Sequence, residues 1–263
     1  VNAATGTPVP AAADAATLVR WLLRLGDTSL ILGQRLGEWI GHAPAIEEDL
    51  GLANTALDLI GQARLFLSYA GELEGRGRGE DELAFLREEH EYANVALVEQ
   101  PNGDFGQTVV RQFLVDAWQC ELYDALARSS DPRVAAIAAK ALKETLYHFR
   151  YSGGWLVRLG DGTEESHARV QAGLDLLWPF VAELFDPDAL DETIAARGIG
   201  PDLRALRPAF DRRVDAVLAE ATLRRPPDVR PIRYGKRGEH GEPFGRLLAE
   251  MQYLQRTHPG ARW

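Results

Sequence analysis

Apolar residues recur at three- and four-residue intervals along nearly the whole chain, and no stretch sustains the apolar/polar alternation of a half-buried strand. This periodicity predicts a succession of helices. Asp14 is placed to cap the first, which runs to about residue 41, where Gly41-His42-Ala43-Pro44 stops it. A second helix is expected from roughly 46 to 70, followed by a glycine-rich, exposed connection over 71–79. A third is expected over about 81–98, ending before Gln100-Pro101-Asn102-Gly103. Asp104 caps a fourth that reaches about residue 128. Asp131 with Pro132 supplies a cap and a first-turn proline for a fifth, running to about 159. After the turn at Gly160-Asp161-Gly162-Thr163, a sixth continues to about 185, bent at Trp178-Pro179. Shorter helices are expected near 188–197 and 202–223, an irregular stretch over 224–243, and a last helix over about 244–256.

Long helices joined by short turns predict an all-α fold: an antiparallel helix bundle with additional C-terminal helices. Residues 1–13 are expected to form a disordered tail. The linkers within 14–263 separate no stretches of different composition, so these residues are expected to form a single domain. Gly26, Gly33 and Gly37 lie inside the first helix, each costing about 1 kcal/mol against alanine, which points to a close approach by another helix.

Composition narrows the function. The 263 residues are 46% hydrophobic and 26% charged, with a net charge of −10, which argues against general nucleic-acid binding. A single cysteine, Cys120, excludes an internal disulfide and a thiolate metal cluster. No apolar run approaches the ~20 residues of a membrane span, and the first 13 residues lack the pattern of a secretory signal. A soluble, cytoplasmic protein is expected.

Four of the long helices carry an acid near mid-height: Asp27, Asp58, Asp116 and Glu144. Asp116 shares its face with Phe105, Val109, Cys120 and Tyr123, and Glu144 shares its face with Ile137, Ala141, Tyr151 and Trp155. Acids on apolar faces must bind a metal, pair with a cation or take up a proton. A carboxylate-bridged di-metal site would need a Glu-x-x-His pair on each of two helices. That test fails at the histidines: Asp58 is followed at +3 by Gly61, and Glu144 by Tyr147. His148, at +4 from Glu144, could reach the same face but has no counterpart on the second helix. The layout is that of a di-metal bundle without its histidine ligands, with Asp27, Asp58, Gly61, Asp116, Glu144, Tyr147 and His148 as vestigial positions. Pairing of the acids with internal cations such as Arg24, Arg64, Arg111, Lys143 or Arg150 is expected instead.

Glu38-Trp39-Ile40-Gly41-His42-Ala43-Pro44, Leu52-Ala53-Asn54 and Leu57-Asp58-Leu59-Ile60-Gly61-Gln62-Ala63-Arg64 resemble the structural C subunits of bacterial phenylacetyl-CoA epoxidases. So do Val98-Glu99-Gln100-Pro101-Asn102-Gly103, Lys143-Glu144 with Tyr147-His148, and Glu250-Met251-Gln252-Tyr253-Leu254-Gln255-Arg256 with Trp263. These blocks run in order over residues 18–263. The resemblance implies a ferritin-like fold and a place in a multicomponent oxygenase that converts phenylacetyl-CoA to its ring 1,2-epoxide. It implies a catalytic A subunit of similar fold carrying the di-iron centre, with further small and reductase subunits, and a C subunit that lacks a functional metal site and stabilises the catalytic one. It also implies no cofactor and no catalytic residue on this chain, no nucleic-acid or membrane partner, and a homodimer as one state of the isolated chain.

Three readings stand at this point: a non-catalytic partner subunit, an independent di-metal oxidase, and a free-standing thioester or anion binder. The third rests on residues 224–240, where six cations (Arg224, Arg225, Arg230, Arg233, Lys236 and Arg237) face two acids, Asp228 and Glu239. Arg230, Arg233, Lys236 and Arg237 are the candidates for contact with CoA phosphates or an acidic partner surface.

Overall fold

A computed structural model describes residues 12–227 and 232–261. The expected tail falls outside the described residues except for its last two positions, as does Arg230. Two antiparallel helical hairpins form the centre. The first pairs α1 (Ala12–Gly37) with α2 (Ile46–Glu74). A Cβ added at Gly26 would lie 2.8 Å from Leu67 Cδ2, and one at Gly33 would lie 3.3 Å from the Ala56 carbonyl oxygen. These two glycines therefore admit α2 against α1, whereas Gly37, at the helix end, meets no neighbour. The second hairpin pairs α4 (Phe105–Leu126) with α5 (Pro132–Gly160). Asp104 accepts from Gln107 N at 2.9 Å, and Asp131 accepts from Arg133 N and Val134 N at 2.9 and 3.0 Å, so these two expected caps are in place, whereas Asp14 lies within α1, which already begins at Ala12.

The remaining helices wrap this bundle. α2 packs on α5, which joins the hairpins; α6 (Glu164–Leu177) and α8 (Leu203–Glu220) pack on α4 and α5. The expected bend at Trp178-Pro179 is a change to a 3-10 turn over Trp178–Phe185. α7 (Ala189–Ala196) lies on α1. α9 (Glu242–Thr257) packs on α1 and on the short α3 (Glu80–Phe85). One hydrophobic cluster connects all of these elements, and no strand occurs among the described residues.

The expected third helix is the main difference. α3 stops at Phe85, and the chain then runs through the interior in irregular form with two short 3-10 turns, Glu89–Glu91 and Ala96–Glu99. Tyr92 and residues 94–99 are buried. Such a segment must find partners for its backbone groups, and here distant side chains supply them. Ala93 N donates to Asp27 Oδ2 at 3.0 Å, Val95 N to Thr28 Oγ1 at 3.3 Å, and Ala96 N to Glu183 Oε2 at 2.6 Å. Periodicity carries no trace of partners so remote in sequence.

Asp27 and Arg87 fasten the segment to α1. Both are fully or almost fully buried, and the guanidinium donates two hydrogen bonds to the carboxylate. Arg87 also donates to the carbonyls of Leu83 and Glu91, and it lies 4.2 Å from the centre of the Tyr92 ring. Burial works against the charge of Arg87, but Asp27 outweighs it and holds the guanidinium's pKa above its ordinary value. Removing one partner of such a pair strands the other charge, at a cost of about 3–5 kcal/mol. Arg87→Met should therefore lower the urea midpoint by that equivalent. The double variant with Asp27→Asn should recover part of the loss. A change under ~0.5 kcal/mol in the single variant would show that the pair does not hold the segment.

Candidate functional site

The mid-bundle acids do not converge. Asp27 turns from the bundle centre toward Arg87 and Ala93, while Asp58, Asp116 and Glu144 stay between α2, α4 and α5. None of the five cations named from the sequence forms an ion pair with any of these acids. Arg24 pairs with Asp188 and Asp191, Arg64 with Glu80, and Arg111 donates to the Gln100 carbonyl and Asn102 Oδ1.

Each acid of the central group has its own partners instead. The fully buried His148 ring places Nε2 3.0 Å from Asp58 Oδ2, at the edge of the bundle where Asp58 is 42% exposed. Glu144 accepts from Gln62 Nε2 at 3.1 Å and pairs with Lys140 Nζ at 2.8 Å, one turn earlier on α5. Gln62 Oε1 in turn accepts from the Tyr123 hydroxyl at 3.1 Å, and that hydroxyl lies 3.4 Å from Ser29 Oγ. Asp116, wholly buried on α4, accepts from Gln112 Nε2 at 2.6 Å and from Ser152 Oγ at 2.7 Å. Burial pushes the Asp116 carboxyl up to about 6, against the opposing pull of His148, Ser152 and Gln112.

This geometry corrects the register of the vestigial positions. Tyr147 is 58% exposed and points to solvent, and a Cβ on Gly61 would meet nothing within 4 Å. The side chains that reach the interior are Gln62 and His148, four residues after Asp58 and Glu144, and each bonds the acid of the opposite helix: Gln62 meets Glu144 and His148 meets Asp58. Gln112 likewise stands four residues before Asp116. One helical turn is 3.6 residues, so i, i+4 serves a hydrogen-bonded pair as well as i, i+3 serves two ligands on one ion. Reading the chain at +4 would have found Gln62, and projection already sets Tyr123 on the inward face; no pattern in the chain points to Ser152.

As a metal centre the donor set does not fit. It offers one imidazole, and its carboxylates are occupied by two amides, a hydroxyl, a lysine and that imidazole. Among the described residues, no three His, Cys, Asp or Glu side chains come together as a group able to hold a metal ion. Cys120, on the Asp116 side of α4, is buried, and burial pushes its thiol up to about 12, so it is a packing residue rather than a nucleophile.

The basic segment is also largely engaged within the fold. Lys236 is buried and donates to Asp191 Oδ2 at 2.8 Å and to the Asp186 carbonyl at 2.6 Å, so it presents no charge to a ligand. Arg233 pairs with Asp186 at 3.4 Å and Arg224 with Asp175 at 3.4 Å, while Arg225 bridges Asp211 and Asp215. Arg237 is exposed.

Comparison with known proteins agrees with this architecture. The profile of the phenylacetic acid catabolic protein family matches residues 3–263. Over 246 residues the chain is 53% identical to the C subunit of the 1,2-phenylacetyl-CoA epoxidase of Escherichia coli (strain K12), covering 94% of this chain and 99% of that protein.

Asp116 gives the site a pH signature. A carboxyl raised from 3.8 to about 6 binds its proton more tightly in the folded state. Its contribution is therefore fully present below about pH 4 and is lost as pH rises through 6, a swing of about 3 kcal/mol. Asp116→Asn removes that swing. Gln112 Oε1 has no hydrogen-bond partner, so the amide can turn over and accept from the new Asn Nδ2. The variant should be at least as stable as the parent at pH 7, and the difference should shrink on acidification to pH 4. A variant that melts well below the parent at pH 7 would show that the carboxylate is held charged.

Proposed function

The chain belongs to the phenylacetic acid catabolic protein family, and from that premise we propose that it is a non-catalytic, metal-free subunit of a phenylacetyl-CoA-epoxidising oxygenase in phenylacetate catabolism. In this reading it pairs with and stabilises a catalytic A subunit of similar fold that carries the di-iron centre. Small and reductase subunits complete the assembly, in the cytoplasm. The observation that carries the proposal is the state of the mid-bundle acids. Asp58, Asp116 and Glu144 are each engaged by groups of this chain, and a second histidine is missing where a di-metal site would need one. The identity to the C subunit of an epoxidase supports the pathway. The alternative, an independent di-metal oxidase, requires ligands that Gly61 and the solvent-facing Tyr147 do not supply.

Co-expression with the other subunits, followed by size exclusion and iron analysis of each peak, tests this directly. Iron and epoxide formation should follow the catalytic chain, and this chain in isolation should retain well under one iron after desalting. Two tightly held irons per chain in the isolated protein would overturn the reading. Gly61→His with Tyr147→His should not create a site, because residue 147 faces solvent and no neighbouring groups orient either new imidazole.

A further inference from the structure

α2 carries two apolar seams, and the fold covers only one. Leu52, Ala56, Leu59, Ala63, Phe66 and Ala70 follow one another at alternating intervals of four and three and are buried in the bundle. Ile46, Leu50, Ala53, Leu57 and Ile60 repeat the same spacing on the outside of the helix. There Ile46 is 72%, Leu50 59%, Leu57 65% and Ile60 44% exposed. Isolated exposed apolar side chains need no explanation, and Leu176 and Tyr253 are of that kind. A four-three repeat sustained from 46 to 60 is different, because this spacing keeps one stripe facing a neighbouring helix over its whole length. At 1.5 Å per residue the stripe is roughly 21 Å long, enough for about four turns of a partner helix.

Charge beside the stripe points to the partner. On the adjacent α5 the outward positions carry exposed Lys143, Tyr147 and Arg150, a basic flank on a chain of net charge −10. Neither cation forms an ion pair among the described residues, whereas Lys140 beside them is engaged by Glu144. A second copy packed antiparallel through α2 would set this basic flank against itself. An amphipathic helix with acidic residues beside its apolar seam meets both features at once.

We propose that the outer face of α2 is a helix-docking seam for another subunit of the complex, whose helix buries Leu50, Leu57 and Ile60 and brings acidic residues to Lys143 and Arg150. This rests on the subunit reading above, and it names the surface that the reading leaves open.

The test co-expresses the full chain with the other subunits of its epoxidase and measures co-elution and affinity for three variants. Leu50→Glu with Leu57→Glu should weaken assembly at least 100-fold while leaving the melting temperature of the isolated chain unchanged, because both side chains are exposed in it. Lys143→Glu with Arg150→Glu should weaken assembly about tenfold, with the loss shrinking at high salt. Leu176→Glu, on α6, should assemble like the parent. If the parent assembles and the Leu50/Leu57 variant assembles equally well, the seam proposal fails and the subunit reading stands. If the isolated parent is a dimer that the Leu50/Leu57 variant breaks while assembly with the other subunits persists, the occupant is a second copy and the proposal is overturned. A parent that joins no other subunit overturns both.

Discussion

The buried contact between Asp27 and Arg87 is the constraint on which much of the molecule depends. It lets an irregular segment, residues 86–99, pass through the interior where the chain's periodicity suggests another helix. That segment in turn builds the seat for the C-terminal part of the chain. Glu99, itself fully buried, holds His240 Nδ1 at 2.8 Å and Gly241 N at 2.9 Å, while Glu183 receives both Ala96 N and Lys236 N. The two stretches approach so closely that a Cβ at Gly235 would fall 2.3 Å from the Asn94 carbonyl oxygen, which only glycine avoids. A polar core of this kind is stable only if every member is satisfied, so losing one carboxylate exposes several backbone groups to the same penalty.

What was legible in the chain follows from the range of the interactions. Helix caps at Asp104 and Asp131 act over two or three residues, and Gly26 and Gly33 on α1 report a neighbour's approach directly, so these can be read from local pattern, whereas Gly37 follows the same pattern and meets no neighbour. The 86–99 segment could not be read in this way. Its hydrogen bonds go to α1 and to Glu183, 66 to 87 residues away along the chain. The same limit explains the acids. That they sit on inward faces is visible from projection, but the cation for Asp27 lies on a loop that periodicity assigns to a helix. Asp116 has neutral partners, and the five arginines and lysines available by composition are engaged elsewhere or exposed.

The mid-bundle site gives its inward acids hydrogen-bonding partners from the protein itself. A metal centre and a hydrogen-bond network make the same demand, that buried carboxylates find compensating donors. Here each acid has one contact between helices, from His148, Ser152 or Gln62, and Asp116 and Glu144 each add a partner four residues earlier, Gln112 and Lys140. Such a network rigidifies the bundle and leaves its outer surface as the place where specificity can reside. The second apolar seam on α2 lies on that surface.

Urea unfolding in chelator and in excess ferrous iron under anaerobic conditions measures whether these acids are satisfied by the protein itself. A ligand that binds the folded state at a hundred times its Kd adds about 2.7 kcal/mol to stability. Coincident unfolding curves are expected for the two conditions. A stabilisation of that size in iron would instead show that the carboxylates open their hydrogen bonds to hold a metal.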